Sequence, residues 1–250
     1  MIVAVIAAFV AGLLVGSFLN VVAYRLPRGE SLVHPRSRCP ECGTQLRAID
    51  NIPLVSWLAL RGRCHHCGAP ISARYPLVEL VTGALYAGVV ASQDDAARIV
   101  LGLLLVTALV PITLIDLDHR IIPNRITGPA AVAGLVVIAA LDSDFLLEAV
   151  IAGVAGGGFF FVAAVLYPRG MGMGDVKLAG MLGVYLGRAV APAIFIALIA
   201  GVGVGAAIIA RKGAAEGRKT AVPFGPFLAL GAIVAFFVGD DLVDRYVDTF

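Results

Sequence analysis

Two carboxylates and four thiols are the side chains of this sequence whose types and spacing suit chemistry. Asp116 follows the apolar run Ile99–Ile115 and stands in Ile115-Asp116-Leu117-Asp118-His119-Arg120-Ile121-Ile122-Pro123-Asn124. Asp175 closes Gly170-Met171-Gly172-Met173-Gly174-Asp175 and precedes Val176-Lys177-Leu178. A carboxylate at the edge of an apolar segment is costly to desolvate, which makes each a candidate functional group. Two carboxylates that meet share a proton, because both cannot ionise cheaply at short range. The ionised one then takes a proton from water while the other protonates a carbonyl oxygen, which is peptide hydrolysis. The glycines at 172 and 174 leave room for an extended backbone to approach or for the segment to move. Pro123 ends the helix after Asp116 and holds a turn. The competing reading is structural: both aspartates cap helices or pair with Arg120 and Lys177. Asp118 rivals Asp116, but its position two residues on and its neighbours His119 and Arg120 suit a solvated ion-pair partner.

The thiols fall in two matched groups, Cys39-Pro-Glu-Cys42-Gly43 and Cys64-His-His-Cys67-Gly68. Two Cys-x-x-Cys pairs, each followed by glycine, are the knuckles of a zinc ribbon, and four thiolates make a closed tetrahedral structural site. Such a site has no open coordination position, so its zinc organises the loop and performs no chemistry. His65 and His66 lie between ligands and read as bystanders. Two disulfides or a redox pair are the alternative, disfavoured where thiols stay reduced.

These groups sit in an apolar chain. Of 250 residues, 60% are hydrophobic and 14% charged, with a mean hydropathy of +0.94, a balance that fits the bilayer as solvent. Spans are expected near 2–23, 76–92, 97–115, 126–141, 146–166, 175–187, 189–210 and 222–239, with the fourth and sixth short for a crossing. The first lacks a basic leader and a cleavage site and reads as a retained helix. The apolar run Ile52–Leu60 is too short to span and belongs at the membrane surface or in the core of its loop. With the N-terminus outside, the inside loops 24–75, 116–125, 167–177 and 211–221 hold all of the 19 basic residues except Arg98, Arg188 and Arg245. That asymmetry follows the positive-inside rule and puts both aspartates and the cysteines on the cytosolic side. The stretch 211–221 reads as a flexible basic loop.

The expected fold is an all-α polytopic membrane protein of about eight transmembrane helices with a small cytosolic zinc-ribbon-like domain. Residues 1–23 form the first transmembrane helix and 24–75 the cytosolic four-cysteine zinc-binding domain. Residues 76–239 form a seven-helix membrane core, and 240–250 an acidic extracytoplasmic tail.

The sequence closely resembles the type IV prepilin peptidases, bifunctional leader peptidases and N-methyltransferases of the GxGD aspartic protease type. The resemblance runs from Gly16-Ser17-Phe18-Leu19-Asn20-Val21-Val22 to Pro223-Phe224-Gly225-Pro226-Phe227, nearly the whole chain. It includes Asn51-Ile52-Pro53-Leu54-Val55-Ser56-Trp57, Arg61-Gly62-Arg63-Cys64 and Arg74-Tyr75-Pro76-Leu77-Val78-Glu79. Gly172-Met173-Gly174-Asp175 matches the GxGD motif, and Asp116 with Pro123-Asn124 the first aspartate motif. The resemblance implies a membrane aspartic peptidase of the bacterial cytoplasmic (inner) membrane, with Asp116 and Asp175 catalytic. Gly172, Gly174, Lys177, Pro123 and Asn124 become substrate-binding or motif-supporting residues, and Cys39, Cys42, Cys64 and Cys67 metal ligands. It also implies prepilin or pseudopilin substrates, cut on the cytosolic side at a Gly before their hydrophobic segment. The new N-terminal residue is then N-methylated from S-adenosylmethionine. The chain has no Gly-rich nucleotide fingerprint of a soluble methyltransferase, and only the long cysteine loop supports methyl transfer. Lipids are expected as partners and nucleic acid is not. Glu30, Glu41, Asp50 and Glu79 are candidates to receive a positively charged leader, while the loop arginines face anionic lipid or only enforce topology. Three other readings compete: a peptidase whose zinc loop serves docking alone, a proton-coupled transporter using the same carboxylates, and a non-enzymatic assembly scaffold. The transporter would need polar groups near the bilayer centre, which these spans almost lack.

Overall fold

The computed structural model describes residues 1–167, 171–213 and 222–249. Arg169, Gly170 and most of the expected basic loop, residues 214–221, lie outside the described residues. The chain divides into two compact units, Met1–Asp95 and Ala96–Phe250.

In the first unit, α1 (Ile2–Arg25) and α3 (Arg74–Ser92) pack antiparallel. Small residues permit the close crossing: a Cβ on Gly12 would lie 2.7 Å from the Gly83 Cα, and one on Gly16 would lie 2.9 Å from the Glu79 Cα. Lipid gives no hydrophobic drive between such helices, so backbone approach and interhelical hydrogen bonds carry the association. Asn20 Nδ2 supplies one, donating to the Tyr75 carbonyl at 3.2 Å. The intervening loop contains the one-turn α2 (Val55–Ala59) and two isolated bridges, Arg38–Gln45 and Arg63–Pro70. Among the described residues these bridges are the whole β content of the ribbon.

The second unit holds α4 (Ala96–His119), α5 (Asn124–Leu141), α6 (Leu146–Leu166), α7 (Met173–Leu186), α8 (Val190–Lys212) and α9 (Gly225–Val247). Its core centres on α7, where Leu178, Met181, Leu182, Tyr185 and Leu186 are buried. Tyr185 satisfies its hydroxyl on the Ala130 carbonyl of α5 at 2.7 Å. Glycine seams join the helices: Gly183 of α7 rides on the Ala152 backbone of α6, and Gly231 of α9 on the Ala193 carbonyl of α8.

Seven stretches among the described residues are long and apolar enough to cross a membrane, and one of them, Met173–Lys212, is 40 residues long. That stretch is broken around Gly187, whose φ of +55° reverses the chain, into α7 and α8, which restores the expected eight helices. The first turn of α7 meets Ile122, just past the end of α4. Its far end leads into Gly187, packed against Phe145 and Glu148 at the start of α6. Fourteen residues thus run from one end of the unit to the other. The last helix continues past the expected boundary at 239 to Val247, because its acidic residues find partners. Asp240 pairs with Arg98 at 3.4 Å and Asp244 with Arg188 at 2.8 Å.

Candidate active site and metal centre

Asp116 lies in the last turn of α4, and Leu117, Asp118, His119 and Arg120 beyond it are exposed. Asp116 itself is only 4% exposed. A carboxylate at the C-terminal end of its own helix sits in an unfavourable field. The compensation comes from another helix: the Gly225 N–H at the start of α9 donates to Asp116 Oδ2 at 2.9 Å. A Cβ at 225 would stand 2.7 Å from that same oxygen, so the contact needs glycine. Pro226 follows in the first turn of α9, where its missing N–H costs nothing.

Asp175 is the third residue of α7 and half-buried. Its Oδ2 accepts the Gly172 N–H at 3.2 Å, so the capping interpretation holds for one of its two oxygens. A side chain on Gly174 would strike Ile122, with 2.9 Å between the two Cβ atoms. The glycine therefore lets α7 close against the turn after α4. Pro123 is extended (φ −71°, ψ 122°) and caps α5. Asn124, the first residue of α5, accepts a hydrogen bond from Lys177 Nζ at 3.0 Å. Among the described residues neither Asp116 nor Asp175 has a salt-bridge partner, since Lys177 turns to Asn124. The two carboxylates lie in one unit, Asp116 at the end of α4 and Asp175 at the start of α7, and Ile122 in the turn between α4 and α5 packs on Gly174 beside Asp175. They are far apart in sequence and each is held by one backbone N–H; two carboxylates brought to one water share a proton and activate it. An open groove at the starts of α5 and α7 is lined by Asn124, Thr127, Gly128 and Lys177.

The metal centre lies in the first unit. The Sγ atoms of Cys39, Cys42, Cys64 and Cys67 all lie within 4.8 Å of one another, and those of Cys39 and Cys67 are 3.8 Å apart. Tetrahedral zinc at about 2.3 Å from each sulfur requires sulfurs about 3.8 Å apart, so the residues fit such an ion. The two knuckles repeat each other. Cys39 and Cys64 donate their N–H to Thr44 and Ala69, and accept from Gly43 and Gly68 at 2.9 Å in both cases. Gly43 and Gly68 take φ of +68° and +71°, the left-handed turn that glycine enters freely. Hydrogen bonds from the Thr44 hydroxyl and backbone pull the Cys42 thiol down to about 6, whereas the Cys67 thiol, despite its bond from the Ala69 backbone, is pushed up to about 12 by burial and the neighbouring sulfurs. None of the four is disulfide-bonded, and His65 and His66 are exposed outside the cluster.

Two acidic residues expected to receive a basic leader are already engaged. Glu79 is 8% exposed, and its Oε2 accepts the Leu54 N–H at 2.8 Å. Asp50 forms a two-point pair with Arg47 at 2.8 and 3.0 Å, and that guanidinium holds its carboxyl below the usual range. Gly225 was legible only as part of a matching block; its bond to Asp116 spans 109 residues. The one local sign was Pro226, which marks a helix start.

The helical fold and its membrane-length helices define a polytopic membrane protein, with a four-cysteine cluster in its first unit and the two candidate aspartates in its second. Residues 10–93 match the bacterial peptidase A24 N-terminal domain, and residues 103–208 match the type IV leader peptidase family. A prepilin leader peptidase/N-methyltransferase of Myxococcus xanthus is 44% identical over 216 residues, covering 84% of this chain and 64% of that protein. Proteins of the same name from Burkholderia pseudomallei and Stutzerimonas stutzeri are each 38% identical. Those alignments cover 93% and 97% of this chain, and 84% and 93% of those proteins. The chain belongs to the type IV leader peptidase family. It spans just under two thirds of the Myxococcus protein's length and most of the other two. No solved structure matches.

Proposed function

We propose that this protein cleaves the leader peptide of prepilins or pseudopilins and N-methylates the residue so exposed. The observation that supports the first activity is the packing of Ile122, in the turn after Asp116, on Gly174 beside Asp175, in a chain whose relatives bear the name prepilin leader peptidase/N-methyltransferase. One carboxylate, ionised, takes a proton from a water that attacks the scissile carbonyl carbon. The other gives its proton to the carbonyl oxygen. As the resulting diol collapses, the first carboxyl passes the proton it took from water to the departing amine nitrogen and the second takes back a hydroxyl proton, which restores the pair. Gly172, exposed just before α7, leaves room for an extended substrate, while Gly174 seats α7 on Ile122 and the Lys177–Asn124 hydrogen bond ties α7 to the turn at Pro123.

The cysteines would hold a structural zinc, with S-adenosylmethionine as methyl donor for the second activity. The domain reading follows: 1–23 a membrane helix, 24–75 a metal-binding loop, 76–239 the peptidase core, and an acidic stretch after it. In the cytoplasmic (inner) membrane, the basic loops assign the cysteines and both aspartates to the cytosolic side.

The test is an assay of the membrane-reconstituted protein with a prepilin peptide and labelled S-adenosylmethionine, reading cleavage and methylation in parallel. Asp116→Asn and Asp175→Asn should each lower cleavage by about 10²–10⁴-fold, the share a general acid or base supplies. Full cleavage by either variant rejects the dyad, and cleavage without label incorporation leaves a peptidase only.

A further inference from the structure

We infer that the apolar run Ile52–Leu60 is an interfacial anchor that dips into the headgroup layer of the bilayer, with anionic lipid as its partner. Its apolar residues are not the core of the cysteine loop. Ile52, Val55 and Leu58 are 43%, 60% and 66% exposed; a spacing of three puts Val55 and Leu58 on one face of α2, and Ile52 precedes the helix. The inward face is occupied differently. Pro53 is buried, Trp57 donates its ring N–H to the Ile71 carbonyl at 3.1 Å, and its ring covers Gly62.

The depth of this face is fixed by a tether to a membrane helix. Leu54, held at a φ of +59°, donates its N–H to Glu79. Glu79 lies about 7.5 Å along the axis from Arg74, the first residue of α3. That helix has 19 residues, about 28 Å at roughly 1.5 Å each, and a hydrocarbon core about 30 Å thick uses all of them. A segment bonded to Glu79 therefore reaches about 7.5 Å inward of the boundary at Arg74, within the depth at which an interfacial helix seats its apolar face. Leu77, Leu80 and Val81 of α3 are exposed at the level of Glu79, so an apolar surface of the membrane helix stands at the height of the tether. Arg61 and Arg63, both exposed, follow the run directly, where they suit lipid phosphates. An exposed apolar face, a basic edge and a fixed depth are the three marks of an interfacial segment.

The protein carries its own reporter, since Trp57 is the one tryptophan in the chain. The full-length protein is placed in vesicles of phosphatidylglycerol and phosphatidylcholine, the latter brominated near the carboxyl end of its acyl chains. Trp57 emission should be quenched by the brominated lipid and shielded from aqueous iodide. Val55→Glu with Leu58→Glu should reverse both effects while leaving the melting temperature in detergent unchanged; if that pair melts lower, Val55→Ser with Leu58→Ser replaces it. Wild-type emission quenched by iodide and untouched by brominated lipid would overturn the anchor. Shielding that appears only as the protein-to-lipid ratio rises would also overturn it, by making the face a contact between copies. Equal lipid quenching with and without phosphatidylglycerol would remove the anionic partner.

Discussion

Asp116 depends on a donor that stands 109 residues away. The α9 N-terminus presents the Gly225 N–H and the positive end of a helix dipole to a carboxylate whose own helix repels it. A methyl group at 225 would intrude within 2.7 Å of Oδ2 and push the two apart. Gly225→Ala should therefore lower turnover by about 10- to 100-fold, the weight of one hydrogen bond to a charged group at about 1.5–3 kcal/mol. The KM for a prepilin peptide should change little, and steady-state kinetics would separate the two effects. Asp116 and Asp175 stood out in the sequence as candidates because a carboxylate beside an apolar run is costly to desolvate. Gly225 could not, since its role exists only where two helices meet. Glu79 failed in the opposite sense. As a charge near a basic loop it looked available to a ligand, whereas burial and the Leu54 N–H make it an internal tie.

At the scale of the element, glycine seams decide how the helices of the second unit pack. Gly183 of α7 sits directly on the Ala152 backbone of α6, and the closeness of that crossing fixes where Asp175 stands at the other end of α7. Gly183→Leu would overpack the seam and destabilise the fold by about 1–3 kcal/mol. The drop should appear as a lower melting temperature in detergent, with cleavage falling alongside. The positions of the long helices were legible from hydropathy because each buries a continuous apolar run. Their ends were less so. The acidic residues after 239 read as a tail, but Arg98 and Arg188 neutralise Asp240 and Asp244 and the helix persists. The knuckle turns were legible in detail, since Cys-x-x-Cys-Gly requires a left-handed residue and Gly43 and Gly68 supply it.

For the whole molecule, the division into two units predicts separable losses. Chelation should unfold residues 39–67, because metal binding and folding of such a site are one equilibrium. The second unit, which holds both aspartates, keeps its helices. Circular dichroism should show little loss of helix on metal removal, while methylation falls further than cleavage in the parallel assay. Equal loss of both would place the two activities under one control. The short α7 bears on how the protein meets the membrane. Its 14 residues span about 21 Å, against a hydrocarbon thickness of roughly 30 Å. Because longer helices cover α7, its shortness is no mismatch with the bilayer; the outer helices set the thickness that the membrane must match. Hydrolysis should accordingly change little across nanodiscs of graded acyl-chain length, since the helix that carries Asp175 is held by protein.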